Sequence, residues 1–334
     1  MAYTIKEIAE MAGVSKSTVS RVITGQGYAS EESRGKVMNV IEALQYKPNA
    51  VARAMVSKRT HNIGVIIYRD QQPVASHPLY GKILDAILSA AEPLGYSVFV
   101  MTDQEMSLRS ADFMLEKRVD GLILISRLRN NVIEYIKSFG VPYLMINGTT
   151  EDEEVIRIVN QDDKGGELAA EHLHHVGHRR ICIIAGPQAH RSHFLRLQGF
   201  LGFAERSGFP VPPDSVYQSP ASTFEAGYET ISRHWSGFCR RRYTALFATN
   251  DMIALGAMKF LMEQGVRVPS QIAVMGYDDV DLAAMYHPSL TTVGVDKVKM
   301  GREAVLLLDR LINSEQSPLN EVECEPRLII RETT

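Results

Sequence analysis

Apolar residues in the first fifty positions recur at helical spacing within three short segments. In "TIKEIAEMA", Ile5, Ile8 and Ala12 fall on one face of a helix. The helices are predicted at 4–12, 15–24 and 31–46, with Thr4, Ser15 and Ser30 as their caps. Three short helices in so few residues predict a small all-α bundle, in which Gly13 turns the chain after the first helix.

From Ile63 onward the pattern changes, and apolar β-rich runs alternate with helical segments. The runs are "IGVIIY" at 63–68, "YSVFVM" at 96–101, "GLILIS" at 121–126, "PYLMIN" at 142–147, "ICIIAG" at 181–186, "ALFAT" at 245–249 and "IAVMGY" at 272–277. Continuous apolar strands separated by helices indicate parallel sheets that are covered on both faces. So many units exceed one open sheet of comfortable size, and we therefore predict two doubly wound α/β subdomains.

Polar residues lie where three of these runs end, namely Asn147, Asn250 and Asp278. Ligands of doubly wound sheets bind in the crevice at the carboxyl ends of the strands, which makes these residues candidate ligand contacts.

Between the bundle and the first run, "KPNAVARAMVSKRTHN" contains one helical stretch of two turns. A helix that short is not stable alone.

The composition is that of an ordinary globular protein, with 45% hydrophobic and 22% charged residues. At 334 residues the chain suits two or three domains better than a single core. The N-terminus lacks an apolar signal segment and no run is long enough to span a membrane, so we expect a cytoplasmic protein. Cys182, Cys239 and Cys324 are scattered and predict neither a disulfide framework nor a zinc site.

The net charge of -3 hides an asymmetry between the head and the rest of the chain. Residues 1–60 contain nine Lys and Arg against five Asp and Glu, a net charge of +4, which leaves -7 for the remainder. A basic head on an acidic body suggests that the head meets a polyanion, since Lys and Arg supply most non-specific affinity for nucleic acids. A chance imbalance is the alternative.

The second predicted helix, within "GVSKSTVSRV", separates an apolar stripe from a face of hydrogen-bond donors. The outward face consists of Ser15, Lys16, Ser17, Ser20 and Arg21. A row of donors without a carboxylate suits a helix in the major groove of DNA, where residues near its N-terminal end read base edges. A solvated helix face, the alternative, would more often include Asp or Glu.

The segments "TIKEIAEMAGVSKSTVSRV" and "YKPNAVARAM" resemble the DNA-binding head and hinge of the lactose-repressor (LacI/GalR) family of bacterial transcriptional regulators. Further along, the chain resembles that family's periplasmic-binding-protein-like core in "EHLHHVGHRRICIIAGP", "RLQGF", "FATNDMIALGAM", "VMGYDDVDLA", "HPSLTTV" and "RLIIRET". The motifs occur in the family's order through nearly the whole chain. The resemblance implies a helix-turn-helix head at 1–47, a hinge helix and linker at 48–61, a core N-subdomain at 62–160 and 293–323, and a core C-subdomain at 161–292 and 324–334.

The resemblance also implies which residues contact DNA. Lys16 and Ser17 would read bases and Arg21 would make a further groove contact, while Thr4, Ser15, Thr18 and Ser20 would position the head on phosphates. We expect Lys16 to favour guanine acceptors. In the hinge, the matching positions are Asn49, Ala52 and Met55. Met55 replaces the leucine that the family usually inserts between base steps, and packing against the core is its alternative role.

Four polar residues match positions where the family binds its effector: Asn147, Arg196, Asn250 and Asp278. Paired donors and acceptors of this kind suit the vicinal hydroxyls of a sugar, and we expect aromatic contacts from Tyr68, Tyr80 and Phe224. Each polar residue has a structural alternative, such as a helix cap, a turn or a bridge between subdomains. Ser222 replaces a frequent aromatic, and Lys297 leaves an anionic effector open beside a sugar or a nucleobase.

The resulting prediction is a ligand-responsive DNA-binding repressor of carbohydrate-utilisation genes that binds a pseudo-palindromic operator as a homodimer. A solute-binding receptor without a transcriptional role is the alternative, although the basic head counts against it. No phosphate loop, GxSxG elbow or HExxH helix occurs, so we predict neither an enzyme nor a cofactor. The histidines at 172, 174, 175 and 178 match the family's own helix and loop, and we predict no metal site there.

Overall fold

In the computed structural model the chain forms two compact units, Met1–His61 and Asn62–Thr334. The structure describes residues 3–24, 27–46, 59–68, 77–103, 108–116, 119–126, 130–148, 155–314 and 320–334. The predicted hinge contacts Asn49, Ala52 and Met55 lie outside the described residues, and so does the side chain of Tyr68. Among the helices of this described part, none is long and apolar enough to cross a membrane.

The first unit contains three helices, α1 (Ile5–Ala12), α2 (Lys16–Thr24) and α3 (Glu31–Ala43). Thr4 and Glu7 form a reciprocal capping box at the start of α1, which pairs two backbone N–H groups that the helix leaves free. Gly13 ends α1 with a left-handed φ of 63°, a conformation that glycine adopts without strain. The third helix stops at Ala43 and not at the predicted residue 46.

The second unit contains two six-stranded sheets. The first sheet has the strand order β11-β5-β4-β3-β1-β2 and is parallel throughout. Its strands are β1 (Asn62–Tyr68), β2 (Ser97–Asp103), β3 (Gly121–Ile125), β4 (Tyr143–Ile146), β5 (Arg157–Asn160) and β11 (Glu321–Cys324). Helices α4 (Tyr80–Ala91), α5 (Leu108–Glu116), α6 (Asn130–Ser138) and α12 (Lys297–Ile312) accompany it.

The second sheet has the order β12-β10-β9-β8-β6-β7, with only β12 antiparallel to its neighbour. Its strands are β6 (Ile181–Ala185), β7 (Val216–Gln218), β8 (Ala245–Ala248), β9 (Ala273–Asp278), β10 (Thr291–Gly294) and β12 (Arg327–Ile329). Its helices are α7 (Asp162–His175), α8 (Arg191–Arg206), α9 (Phe224–Arg241), α10 (Asp251–Glu263) and α11 (Asp281–Met285).

The seven predicted runs all form strands, and the doubly wound architecture is as predicted. Five short strands were not predicted, namely β5, β7, β10, β11 and β12. They have three or four residues each, which is too few for a periodic signal. The predicted subdomain boundary at 293 falls inside β10, which belongs wholly to the second sheet, so the chain crosses back after Gly294. It crosses again after Cys324, close to the predicted boundary.

Two pairs of helices beside the second sheet approach each other at the backbone. A Cβ atom at Gly199 of α8 would overlap the carbonyl oxygen of Asp163 in α7, and one at Gly256 of α10 would overlap that of Phe224 in α9. Such contact requires glycine, because no other residue leaves room for the facing backbone. The close packing places the start of α10, with Asn250 as its cap, at the carboxyl edge of the sheet.

Candidate functional site

In the head, α2 presents its polar face to solvent. Lys16, Ser17 and Arg21 are exposed, while Val19 and Val22 are buried against the other two helices. Their exposure leaves the base-reading residues implied by the family resemblance accessible to a partner.

The start of α2 is held by a group of hydroxyls. Ser15 Oγ accepts a hydrogen bond from the backbone N–H of Thr18 at 3.1 Å and lies 2.8 Å from Thr18 Oγ1 and 2.7 Å from Ser17 Oγ. Ser15 therefore caps the helix, as predicted, and a role on a phosphate would come in addition to that structural role.

In the second unit, a cavity of about 200 Å³ opens at the carboxyl ends of the strands, between the two sheets. Three of the predicted effector contacts line it: Phe224, Asn250 and Asp278. The remaining lining residues are His77, Pro78, Leu79, Ser222, Thr223, Glu225, Met252 and Val280. The rule that ligands bind at the strand ends thus identifies this edge of the second sheet.

Among the predicted contacts whose side chains are described, Asn147, Tyr80 and Arg196 do not line this cavity. Asn147 follows β4 with a left-handed φ of 51°, and its backbone N–H bonds to the carbonyl of Ile158. Tyr80 stacks on His77 with 4.4 Å between the ring centroids, and so supports a lining residue. Arg196 lies behind the cavity wall.

Arg196 forms the centre of a buried ionic network. Its Nε donates to Asp162 Oδ1 at 2.8 Å, its Nη1 donates to the carbonyl of Thr249 at 2.8 Å, and its guanidinium lies 3.8 Å from the ring centroid of Tyr277. With 3% of its surface exposed, it bridges elements of the second subdomain and also lies beside Asp278. These contacts favour a structural role within the second subdomain over direct ligand contact for Arg196, and they are not the bridge between subdomains that the sequence offered.

Asp278 lines the cavity, but one of its carboxylate oxygens is already engaged. Its Oδ1 has almost no exposed surface and lies 2.9 Å from Arg196 Nη2, so this oxygen pairs with the guanidinium and is not open to a ligand. The residue ends β9 with a φ of 111°, which is rare for a side-chain-bearing residue, and only 7% of its surface is exposed. Burial raises the pKa of Asp278, and the charges of Arg196 and Lys297 oppose that rise.

Lys297 does not face the cavity. Its ammonium donates to the backbone carbonyls of Asp278 and Asp279, and 6% of the residue is exposed. Burial lowers the pKa of Lys297, while the nearby aspartates oppose that effect. This lysine stabilises the strained backbone after β9, so it no longer supports the anionic effector that the sequence left open.

Asn250 combines a place on the cavity wall with a structural role, which is that of a helix cap and not of the turn that the sequence offered. Its Oδ1 accepts from the backbone N–H of Ile253 at 2.8 Å, which caps α10, and its Nδ2 donates to the carbonyl of Ser222 at 3.1 Å. An amide nitrogen has two protons, so one remains for a ligand.

His77 is a cavity residue that sequence reasoning missed. Its Nδ1 accepts from the backbone N–H groups of Leu79 and Tyr80 at 3.2 and 3.3 Å, so it caps the start of α4. Burial lowers the pKa of His77 to about 4, and the ring is therefore neutral at physiological pH. No local sequence signal marks it, since only the folded chain brings the residue before α4 to the cavity.

The cavity wall has an acidic balance. Among the described lining residues, Asp278 and Glu225 are acidic and none is Lys or Arg.

The histidines in and after α7 have other partners, since His172 Nε2 lies 2.8 Å from Thr334 Oγ1 and His178 Nδ1 lies 3.0 Å from Thr244 Oγ1. Within the described ranges no group of three His, Cys, Asp or Glu side chains could hold a metal ion.

Comparison with protein families gives two matches. Residues 4–49 match the model of bacterial regulatory proteins of the lacI family, and residues 170–334 match a periplasmic binding protein-like domain. Among solved structures, the Lac repressor dimer bound to operator and the anti-inducer ONPF is 29% identical, with a TM-score of 0.86 over 100% of this chain and 99% of that chain. A complex of the transcriptional regulator CelR with cellobiose is 29% identical, with a TM-score of 0.76 over 99% of this chain and 100% of that chain.

Full-length relatives show the same relationship. The HTH-type transcriptional repressor PurR of Haemophilus influenzae is 33% identical over 99% of this chain and 98% of its own length. PurR of Pasteurella multocida is 31% identical over 99% of this chain and 98% of its own length. The chain therefore belongs to the LacI family of bacterial regulatory proteins, and it is a DNA-binding transcriptional repressor and not an enzyme.

Proposed function

We propose that this repressor is switched by a small neutral effector, in first place a single-ring sugar, which binds in the cavity between the two sheets. The observation that carries the proposal is the composition of the wall, where hydroxyl, amide, imidazole and carboxylate groups meet without a described Lys or Arg. Vicinal hydroxyls both donate and accept hydrogen bonds, and these groups supply both kinds of partner. Control of carbohydrate-utilisation genes is the matching physiological role.

The size of the cavity favours a small ligand. Its volume of about 200 Å³ is below the roughly 300–1,000 Å³ of pockets for drug-sized ligands. One sugar ring suits this space better than a disaccharide does. Leu79, Phe224 and Met252 supply apolar surface for the face of such a ring.

A nucleobase is the second candidate, because the same three apolar side chains could hold a flat ring whose edge meets Asn250 and Asp278. A phosphorylated effector fits poorly. A phosphate would lie near Asp278 and Glu225 without a described cation on the wall, since Lys297 and Arg196 are both engaged elsewhere. Burial of an unpaired charge costs several kcal/mol, roughly, even after relaxation.

The proposed coupling uses the position of the cavity between the sheets. His77 and Leu79 precede α4 of the first subdomain, whereas Ser222, Asn250 and Asp278 belong to the second. A ligand that contacts both sides favours one relative arrangement of the subdomains, and only this difference in affinity can shift the equilibrium. We propose that the shift changes how the two heads of the dimer engage a pseudo-palindromic operator.

On the DNA side, we propose that Lys16 and Ser17 read bases, with Arg21 as a further groove contact, and that Thr4, Ser15, Thr18 and Ser20 contact phosphates. Exposure of the first three residues and the absence of a carboxylate from α2 support this division. A base reader alters sequence preference when it is removed, whereas a phosphate contact alters affinity evenly.

The effector proposal is tested by a thermal-shift screen of ribose, glucose, galactose and cellobiose, with ribose 5-phosphate, glucose 6-phosphate, adenine and guanine. A ligand specific to the native state raises the melting temperature. We expect a neutral sugar to do so in the wild type and in Glu205→Gln, an exposed control, but not in Asp278→Asn. A shift with a phosphorylated sugar only, or an undiminished shift in Asp278→Asn, would contradict the proposal.

The DNA assignment is tested with a pool of random-sequence duplexes and no added ligand. Lys16→Ala should enrich a less restricted set of sequences than the wild type, with the loss concentrated at guanine positions. Thr18→Ala should enrich the same set with a lower affinity throughout. Equal losses on all sequences for Lys16→Ala would refute its role as a base reader.

A further inference from the structure

A chain of hydrogen bonds runs from the end of β6 to the cavity wall. The backbone N–H of Gly186 donates to Thr249 Oγ1 at 2.8 Å. Thr249 Oγ1 lies 2.8 Å from His193 Nδ1, and His193 Nε2 lies 2.7 Å from Ser222 Oγ. Because Ser222 lines the cavity, the chain ends at the place where the effector would bind.

Burial determines where the protons of this chain lie. Thr249 is fully buried and already accepts from Gly186, so its own hydroxyl proton needs an acceptor. Among the described residues, that acceptor is His193 Nδ1. If Nδ1 carried the ring proton and pointed it at the Thr249 carbonyl, the buried hydroxyl proton of Thr249 would have no acceptor, which is unfavourable. The ring proton therefore lies on Nε2.

The imidazole of His193 is neutral and held in place. Burial keeps its pKa well below the ordinary value, and the charge of Arg196 and the neighbouring His190 act in the same direction. The ring lies over Gly186, where a Cβ atom would come within 2.6 Å of His193 Cε1. A neutral, packed ring with one proton has a defined hydrogen-bond polarity.

We propose that His193 is a positioning residue that makes Ser222 a hydrogen-bond donor toward the effector, and thereby selects a ligand with an acceptor at that point. His193 Nε2–H donates to Ser222 Oγ, so the hydroxyl proton of Ser222 is left for the cavity. A sugar oxygen or an unprotonated ring nitrogen meets this requirement, whereas an ammonium group does not. The selectivity rests on the proposed effector site, but the proton arrangement does not depend on it.

The proton arrangement is tested without any ligand, by nitrogen-15 NMR of the full-length protein labelled at its histidines. His193→Gln identifies the resonances by their loss, and Ser222→Ala identifies them independently by a change at Nε2. We expect Nδ1 unprotonated and Nε2 protonated at neutral pH. Protonation of Nδ1, alone or together with Nε2, would overturn the proposal whether or not the effector is a sugar.

The selectivity is tested with the sugar that gives the largest thermal shift and with its deoxy and deoxyfluoro derivatives. Fluorine accepts a hydrogen bond and does not donate one. At one hydroxyl position of the sugar, we expect the deoxy derivative to bind about tenfold more weakly than the parent sugar, corresponding to about 1.4 kcal/mol. The fluoro derivative at that position should recover part of the loss.

Variants test whether that difference in binding depends on the hydrogen bond from His193 to Ser222. The fluoro-over-deoxy preference should vanish in Ser222→Ala and His193→Phe, and persist in His193→Gln, whose amide replaces the Nε2–H donor. Ser232→Ala, an exposed serine on α9, is the control and should leave the preference unchanged. A preference that survives in both Ser222→Ala and His193→Phe would overturn the proposal. If no sugar raises the melting temperature, the proposed effector class fails. The tautomer measurement still decides whether His193 Nε2–H donates to Ser222.

Discussion

Replacement of His77 by asparagine should remove a specific part of the acid sensitivity of the protein. In the folded state the pKa of His77 is about 4, against an ordinary value of 6.5, because burial disfavours the charged ring. Protonation would also turn Nδ1 from an acceptor into a donor that faces the N–H groups of Leu79 and Tyr80. Asparagine keeps an oxygen that can cap the helix and does not titrate in this range.

The sign and size follow from proton linkage. Between about pH 6.5 and pH 4 the unfolded chain binds a proton at His77 that the folded chain does not, so stability is lost as the pH falls through this window. The loss attributable to His77 is near zero at about pH 8 and about 2 kcal/mol at about pH 5. His172, His178 and His193 also have lowered pKa values, but they are present in both proteins and cancel in the comparison.

The assay is urea unfolding at both pH values and at one fixed protein concentration, followed by circular dichroism and by the fluorescence of Trp235, the single tryptophan. We expect the wild type to lose about 2 kcal/mol more than His77→Asn between the two pH values. His175→Asn replaces an exposed histidine and should lose as much as the wild type does. An equal loss in the wild type and His77→Asn would refute the reasoning.

Four further predictions concern packing and charge. Gly256→Ala should lower the free energy of unfolding by more than about 2 kcal/mol, because its Cβ would overlap the backbone of α9. Gly237→Ala, whose Cβ has its nearest neighbour at 3.9 Å, should raise it by up to about 1 kcal/mol in the same urea unfolding assay. Arg196→Met should cost about 3–5 kcal/mol near pH 8, because two buried carboxylates lose their partner. The cost should be smaller near pH 5, since burial raises the pKa of Asp278 and the loss of the guanidinium raises it further; an unchanged cost would contradict this. The exposed ion pair between Lys82 and Asp281, which joins the two subdomains, should show a coupling below about 1 kcal/mol in a double-mutant cycle of urea unfolding.

Much of the fold could be predicted because its signals are local. Helices of the head follow from residues three and four apart, and the cap at Thr4 needs only Glu7 three positions away. Central strands such as β3 are buried on both faces, so every residue in them is apolar. The five strands that were missed have only three or four residues each, so their own sequence is too short to show a pattern, and pairing with a neighbour makes them strands.

The candidate site was predictable only where a rule of topology applies. Asn250 and Asp278 were identified because both lie at the carboxyl ends of strands of one parallel sheet. His77 could not be identified, because nothing local tells that the start of α4 lies across from the second sheet. Arg196 illustrates the opposite case, since its motif was recognised but only the structure shows that Asp162 and Thr249 occupy its donors.

By itself, then, the sequence determined the head, the doubly wound core and the family of the protein, because periodicity, caps and motifs depend on residues close together in the chain. Tertiary structure alone decided which polar groups line the cavity between the sheets and which neighbours they have there. Ser222 and His193 are 29 residues apart, and their polarity depends on burial and on a third residue, Thr249. Hydrogen-bond direction and desolvation are properties of the folded environment, and no local pattern of residues records them.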